Sequence, residues 1–246
     1  VLLLMDDVPI LQADAGFPQW DDVPIEVIEQ VEVVKGASSA LYGSSALNGI
    51  VNVRTAYAKS EPITRGSVFS TFHLSPQREE IKWWDSAPRS LGASLSHRQK
   101  FDKLDLVVGG YYLNDESFRK DFYRKFGRFN FNVRHRATDR LTYGLAGNLN
   151  AGKSGSYFYW SGLETAYIGD TSTLATRERF RYNLDPTLTY YDKNDNRHRF
   201  LGRFYSVDND NDRNQSNQSN LYYAEYQFQK RFTESDLVLT SGLVAS

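Results

Sequence analysis

The sequence predicts a predominantly β fold: a long antiparallel barrel wall preceded by a small α+β unit. Three observations predict it. From Arg65 onward the chain is a succession of aromatic-rich runs of about ten to thirteen residues. Such runs are longer than the strands of a typical soluble sheet and match a tilted, membrane-crossing strand. The runs alternate in polarity with period two, so each presents one apolar and one polar face. Their connections alternate between short and long, the asymmetry of a barrel whose two rims face different compartments.

The first 55 residues differ in character. Val1 to Met5 read as a strand, and Asp6-Asp7-Val8-Pro9-Ile10 as a turn and a second strand. Pro24 opens an amphipathic turn that leads into the strand-like Gln30–Lys35, which Gly36 stops. Ala37–Tyr42 is small and helix-tolerant and is closed by Gly43. Ser44–Asn48 forms another turn ending at Gly49, and Ile50–Thr55 is again β-branched. The three glycines suit positions of positive φ or close backbone approach.

Residues 24–55, PIEVIEQVEVVKGASSALYGSSALNGIVNVRT, resemble the end of the plug domain of TonB-dependent outer-membrane receptors, whose usual form is IExIEVxxGPxSALYGxxAxGGVINIxTK. The matching positions include Glu29, Glu32, Gly36, Ser39, Leu41, Tyr42, Gly43, Gly49 and Asn52, with Lys35 inside the motif. Upstream, Asp6–Ile10 is similar to the family's VDGVPV. Two positions depart from the pattern: Ala37 stands where Pro is common, and Asn48 replaces the first Gly of a pair. The Asn48-Gly49 form is similar to the SusC-like branch, although the following strand does not fit that branch cleanly.

The resemblance implies the C-terminal part of a plug over 1–55, a linker over 56–64, and the first nine or so strands of a barrel of about 22 over 65–246. It also implies a bacterial outer membrane, active import of a scarce nutrient and no enzymatic activity. The nutrient is typically a ferric siderophore, with cobalamin or an oligosaccharide as alternatives. The implied partners are outer-membrane lipid, a small-molecule or chelate substrate, and the inner-membrane TonB complex, reached through a segment upstream of Val1. A SusC-like reading adds a surface lipoprotein. No cofactor is implied.

After the linker, strands are expected at roughly 65–75, 90–100, 104–114, 126–136, 141–151, 178–191, 197–208, 220–231 and 236–246. In the fourth, Phe129, Phe131 and Val133 alternate with Arg128, Asn130, Asn132 and Arg134. In the sixth, Phe180, Tyr182, Leu184 and Leu188 alternate with Arg179, Arg181, Asn183 and Asp185. Periodicity alone leaves open which face points inward: a soluble lipocalin-like barrel buries the apolar set, and a membrane barrel shows it to lipid. In the membrane case an arginine at the bilayer midplane costs about 2–4 kcal/mol, so Arg128, Arg134, Arg179 and Arg181 face the lumen. Plug residues Glu29, Glu32 and Lys35 would then meet that polar wall.

Composition narrows the classes. Formal net charge is −1, which offers no basic field for nucleic acid. There is no cysteine, so disulfide and thiol chemistry are excluded. No run of about eighteen apolar residues occurs, which excludes a transmembrane helix. The negative mean hydropathy says nothing against a barrel, whose strands show lipid only every second residue. The chain begins and ends within strand-like runs and is expected to be an internal piece of a longer protein.

The chemistry-bearing candidates are few. Tyr157, Tyr159 and Trp160 in the longest loop, and Trp83 and Trp84 in the Pro76–Pro88 loop, form aromatic groups suited to stacking on a sugar or an aromatic chelator. The alternatives are an interfacial girdle or self-packing. Asp208, Asp210 and Asp212 have the spacing that opens a calcium loop. Arg213 stands where the loop's glycine belongs and Ser219 where its closing glutamate belongs, so a solvated loop is favoured. The four histidines are scattered without metal spacing, and no GxSxG or phosphate-binding loop occurs. The rival readings from other classes are a passive porin and a barrel enzyme.

Overall fold

The computed structural model describes residues 1–10, 20–36 and 49–245. The expected helix at Ala37–Tyr42 lies outside the described residues, as do Ser39, Leu41, Tyr42 and Gly43. The described part of the N-terminal unit is a four-stranded sheet of β1 (Leu2–Met5), β2 (Val8–Pro9), β3 (Ile28–Val34) and β4 (Ile50–Thr55), in the order β2-β1-β4-β3. Strand β1 pairs parallel with β4, and β3 pairs antiparallel with it. All four β1 residues are buried, the mark of a strand covered on both faces. Leu3 and Met5 pack with Ile10, Val23 and Val53, while Leu2 and Leu4 pack with Ile50 on the other side.

Two tight spots shape this unit. Met5 pairs with Val8, so Asp6 and Asp7 form a two-residue hairpin loop, and both have positive φ (50° and 75°). That is the geometry of a type I′ turn, which Asp tolerates better than most residues. Gly49 has φ of 97°, and a Cβ there would lie 2.4 Å from the Val34 carbonyl oxygen, so only glycine fits.

The wall consists of β5 (Ile63–Phe72), β6 (Arg89–Phe101), β7 (Leu104–Glu116), β8 (Tyr123–Arg136), β9 (Leu141–Ser156), β10 (Ala175–Tyr191), β11 (Arg197–Asn211), β12 (Asn217–Phe232) and β13 (Leu237–Ala245). Each pairs antiparallel with the next in one nine-stranded sheet. One rim carries the connections 102–103, 137–140, 192–196 and 233–236. The other carries 73–88, 117–122, 157–174 and 212–216. At this second rim β7 to β12 run two to five residues further than the periodicity predicts, with polar additions such as Asn209–Asn211 and Asn217–Asn220. Alternation marks a strand only where its two faces meet different solvents, and beyond the lipid both faces meet water.

The faces of the wall decide the inside–outside question. Its buried set is rich in polar groups, with Arg128, Asn130, Asn148, Asn150, Arg181, Asn183, Asp185 and Arg203 beside a few apolar residues such as Val107, Phe126 and Leu201. Phe129, Leu145, Leu149, Phe180, Leu184, Leu188 and Phe200 stand exposed on the opposite face. A soluble barrel would show the reverse, because exposed rings of this size would cost it the burial that folds it. The N-terminal sheet lies against the polar face.

Candidate functional site

The polar face and the N-terminal unit meet along a seam built of charges. A turn of 3₁₀ helix at Trp20–Asp22 and another at Ile25–Val27, hinged at Pro24, aim Asp21, Asp22 and Glu26 at the wall. Wall residue Gly109 lets the second turn come close: a Cβ there would fall 2.9 Å from a Val27 methyl. Arg128 forks onto Glu26 (2.6 Å), and both side chains are nearly solvent-free (3% and 2% exposed). Arg179 and Arg124 reach Asp21 at 2.7 and 3.3 Å. Asp22 lies 3.7 Å from Arg181 and accepts bonds from the Tyr205 hydroxyl (2.6 Å) and the Asn150 amide (2.9 Å). Asn148 and Asn150 also donate to the carbonyls of Asp22 and Asp21.

Lower down, Arg199 pairs with Asp7 at 3.1 Å, and Arg98 pairs with Glu29. Arg203, held by Asp185 on its own sheet, donates to the carbonyls of Val8 (3.1 Å) and Pro9 (2.7 Å) at the edge of β2. Two voids of about 20 Å³ each lie in the seam among the described residues, each with room for a single water.

Asp6 and Asp7 are neighbours with opposite electrostatics. Burial pushes the Asp6 carboxyl up, against the bonds it accepts from the Thr55 amide and hydroxyl. Burial also acts on Asp7, but the Arg54 and Arg199 guanidinium groups outweigh it and hold its carboxyl below the usual range. The bond from Arg98 likewise holds Glu29 low.

Of the predicted arginines, Arg128, Arg179 and Arg181 stand on the seam. Arg134 instead pairs with Asp105 of the wall and lies over the Tyr57 ring at 4.9 Å. Of the three motif charges expected to meet the wall, Glu29 does so. Glu32 is taken within the unit by Arg54 and Asn52, and Lys35 is exposed. Asn52 also bridges to Asp7, tying the hairpin turn to β4. Gly36, like Gly49, has positive φ (89°). Sequence reasoning missed Asp21, Asp22, Glu26 and Asp7 as the wall's principal partners. The acids flanking Pro24 were the available signal.

The long-loop rim divides the predicted aromatics. Trp84 is buried and stacks on Tyr167, which meets Phe118 edge-on (4.9 Å between centroids). Trp83 donates to the Phe118 carbonyl (2.7 Å). Tyr157 packs on Phe122, whose face carries Arg119. These residues lock the loops 73–88, 117–122 and 157–174 to one another. Tyr159 and Trp160 stand exposed with Phe158 and Leu163 at the tip of a small hairpin, closed by bonds from Asp170 to Tyr159 and from Ser161 to Ile168. Arg213 clasps its base through the Leu174 and Thr171 carbonyls.

Asp208 and Asp210 lie within β11, and no cluster of three or more metal-ligating side chains occurs among the described residues. His97, His135 and His198 bond Thr64, Tyr143 and Tyr226 respectively.

Residues 1–50 match the TonB-dependent Receptor Plug Domain family. The chain is 29% identical over 193 residues to the vitamin B12 transporter BtuB of Vibrio vulnificus, covering 75% of this chain and 31% of that protein. Its fold matches the siderophore receptor PirA of Pseudomonas aeruginosa (TM-score 0.69, 19% identity, 98% of this chain and 39% of the other). It also matches the ferric enterobactin receptor PfeA of the same organism (TM-score 0.68, 15% identity, 98% and 40%). The chain thus spans between 31% and 40% of these proteins. They lend no support to the SusC-like alternative.

Proposed function

The chain is part of a TonB-dependent outer-membrane receptor, and from that premise we propose that the whole protein imports a scarce small nutrient, a metal chelate or a cobalamin, by energy-coupled movement of the plug. The observation that carries this reading is the seam. Acids of the plug, Asp22 and Glu26 buried and Asp21 half-buried, pair with arginines of the barrel's inner face, and two voids among the described residues of this seam hold about 20 Å³ each. A barrel filled in this way around its whole wall would be closed to diffusion, and a transporter would break and remake these contacts at each cycle.

The chemistry suits that task. A buried ion pair sits near balance between its desolvation cost and its Coulomb gain, so water entering the seam can replace either partner at small net cost. The plug's own apolar core has no such exchange. The TonB complex is the partner proposed to pull on a segment upstream of Val1, and the exposed Tyr159 and Trp160 are proposed as outer contacts for cargo. Trp84 and Tyr157 serve to hold the loops.

The test uses the full-length protein. In planar bilayers the intact receptor should be closed, and removal of the plug should open a large conductance. Uptake of a labelled ferric chelate or cobalamin should stop when the proton gradient is collapsed. An intact protein that conducts like an open porin, or uptake that survives collapse of the gradient, overturns the reading.

A further inference from the structure

The outward face of the wall holds glycines that its own packing does not require. A Cβ added at Gly66, Gly110 or Gly127 would meet nothing closer than 3.8 Å, and none of the three has positive φ. Glycine weakens a strand, so one with open space above it marks a place where something else comes close to the backbone. With Ala93 and Ala151 these glycines floor two depressions of about 600 and 570 Å³, which share Tyr112 as a wall. The exposed rings of Tyr112 and Phe180 bound the second depression.

Just above that second floor, toward the long-loop rim, five strands carry a polar row in register: Asn114, Lys125, Lys153, Glu178 and Asp210. Its height can be read from β9, where Lys153 stands ten residues from Tyr143, about 33 Å of strand. A barrel's tilt reduces that to roughly 25 Å, the height of the apolar band of an outer-membrane wall. The row therefore meets the headgroups of the outer leaflet. Lys125 and Lys153 face each other directly, an arrangement that by itself destabilises paired strands. Lys153 pairs with Glu178, whereas Lys125 makes no ion pair among the described residues. Asp210, opposite Glu178, accepts the Ser216 hydroxyl. Positive charge thus stands directly over Gly127 and Ala151, and negative charge bounds it on the β10–β11 side.

We propose that this outward trough is a binding site for one lipid of the outer leaflet with an anionic, phosphate-bearing headgroup. The phosphate sits between Lys125 and Lys153, where it relieves their repulsion, and the acyl chains lie in the depressions on the open glycines. Ammonium suits the headgroup, since a compact, rotatable point charge follows a phosphate that moves with its lipid. Glu178 and Asp210 repel the same phosphate from the neighbouring strands and so fix its position along the wall. The site is independent of the plug and of the transport reading.

The test exploits the absence of cysteine from this chain. Leu149 is exposed on the same face of β9, one outward position below Ala151. Full-length receptor with Leu149→Cys as its single cysteine, carrying a thiol-linked fluorophore, is placed in phosphatidylcholine nanodiscs. Quenching is titrated with chain-brominated phosphatidic acid and with chain-brominated phosphatidylcholine. The acid should quench at about tenfold lower mole fraction, the scale of two lysines at a membrane surface. Lys125→Gln with Lys153→Gln should bring the ratio close to one, and Lys125→Arg with Lys153→Arg should keep most of it. Gly127→Leu, which fills the floor and leaves every charge in place, should lower the preference several-fold. A ratio near one in the starting protein, or one that the glutamine pair leaves unchanged, overturns the site. A preference that survives Gly127→Leu intact also overturns it, because the lysines then attract anionic lipid without seating one. Quenching by neither lipid means that another protein chain covers this face, and the proposal falls.

Discussion

Inside the plug, Leu2, Leu3, Leu4, Ile50 and Val53 are shut away from water. Across the seam, the carboxylates of Asp22 and Glu26 are equally shut away and that of Asp21 is half-buried, each against arginine. Both regions exclude solvent, and they differ in what water does on entering. It returns to a separated ion pair much of the solvation that burial removed, and it returns nothing to a leucine. One region is therefore built to stay together and the other to part, within a unit small enough to move as a body.

Breaking that contrast at one buried charge should have the largest effect. Glu26→Ala strands Arg128 in the seam and is expected to cost about 3–5 kcal/mol of plug docking, whereas Glu26→Leu with Arg128→Met should be close to neutral. The readout is the urea concentration at which a reporter cysteine on β4 becomes reactive in the full-length receptor. If both variants weaken docking alike, the seam is held by packing rather than charge.

The apolar region should respond differently. Leu4→Ala is expected to cost about 2–5 kcal/mol, with no rescue by any second polar change, and should lower the cooperativity of plug unfolding rather than its docking. Gly49→Ala comes next, at about 1–3 kcal/mol, through positive φ and the clash with the Val34 carbonyl.

Acid sharpens the comparison further. The depressed Asp7 carboxyl contributes stability that is present above the ordinary carboxylate range near 3.9 and is lost as pH falls through its folded value. The raised Asp6 has the opposite sign, since protonation relieves its burial. Docking followed from pH 6 to pH 3 should therefore show a shallower acid limb in Asp7→Asn, with Glu29 supplying part of what is left, and a steeper one in Asp6→Asn. Each effect should be under about 1 kcal/mol, given partial solvent screening. Smallest of all is Lys153→Ala. Its pair with Glu178 stands in open solvent, and its loss should leave both docking and unfolding unchanged.

The wall was legible in the sequence because lipid outside and a polar seam inside force each strand to declare its faces. Phe129 and Arg128, or Phe180 and Arg179, could not exchange places without putting a guanidinium in hydrocarbon. Legibility ended where the lipid does, which is why Asn209–Asn211 looked like loop and are strand. The seam was half legible. The arginines could be assigned from period two, but their partners lie about 70 to 190 residues away in an irregular stretch with no period to read. The aromatic loops were the least legible. Trp84 and Tyr159 are equivalent in sequence terms, and only the meeting of three separate loops makes one a packing residue and leaves the other exposed.

The order of the chain gives the seam a consequence for biogenesis. Wall strands pair only with their sequence neighbours, so each hairpin can zip as soon as it exists, whereas the bonds from Arg98 to Glu29 and from Arg203 to Val8 span 69 and 195 residues. Long closures of this kind form late. The plug is synthesised first, yet it must wait with its carboxylates solvated until a wall exists to receive them. Those same carboxylates keep the waiting segment hydrated while the strands behind it assemble. A charge seam thus lets the plug arrive early and dock last, where an apolar one would have exposed an adhesive surface throughout the delay.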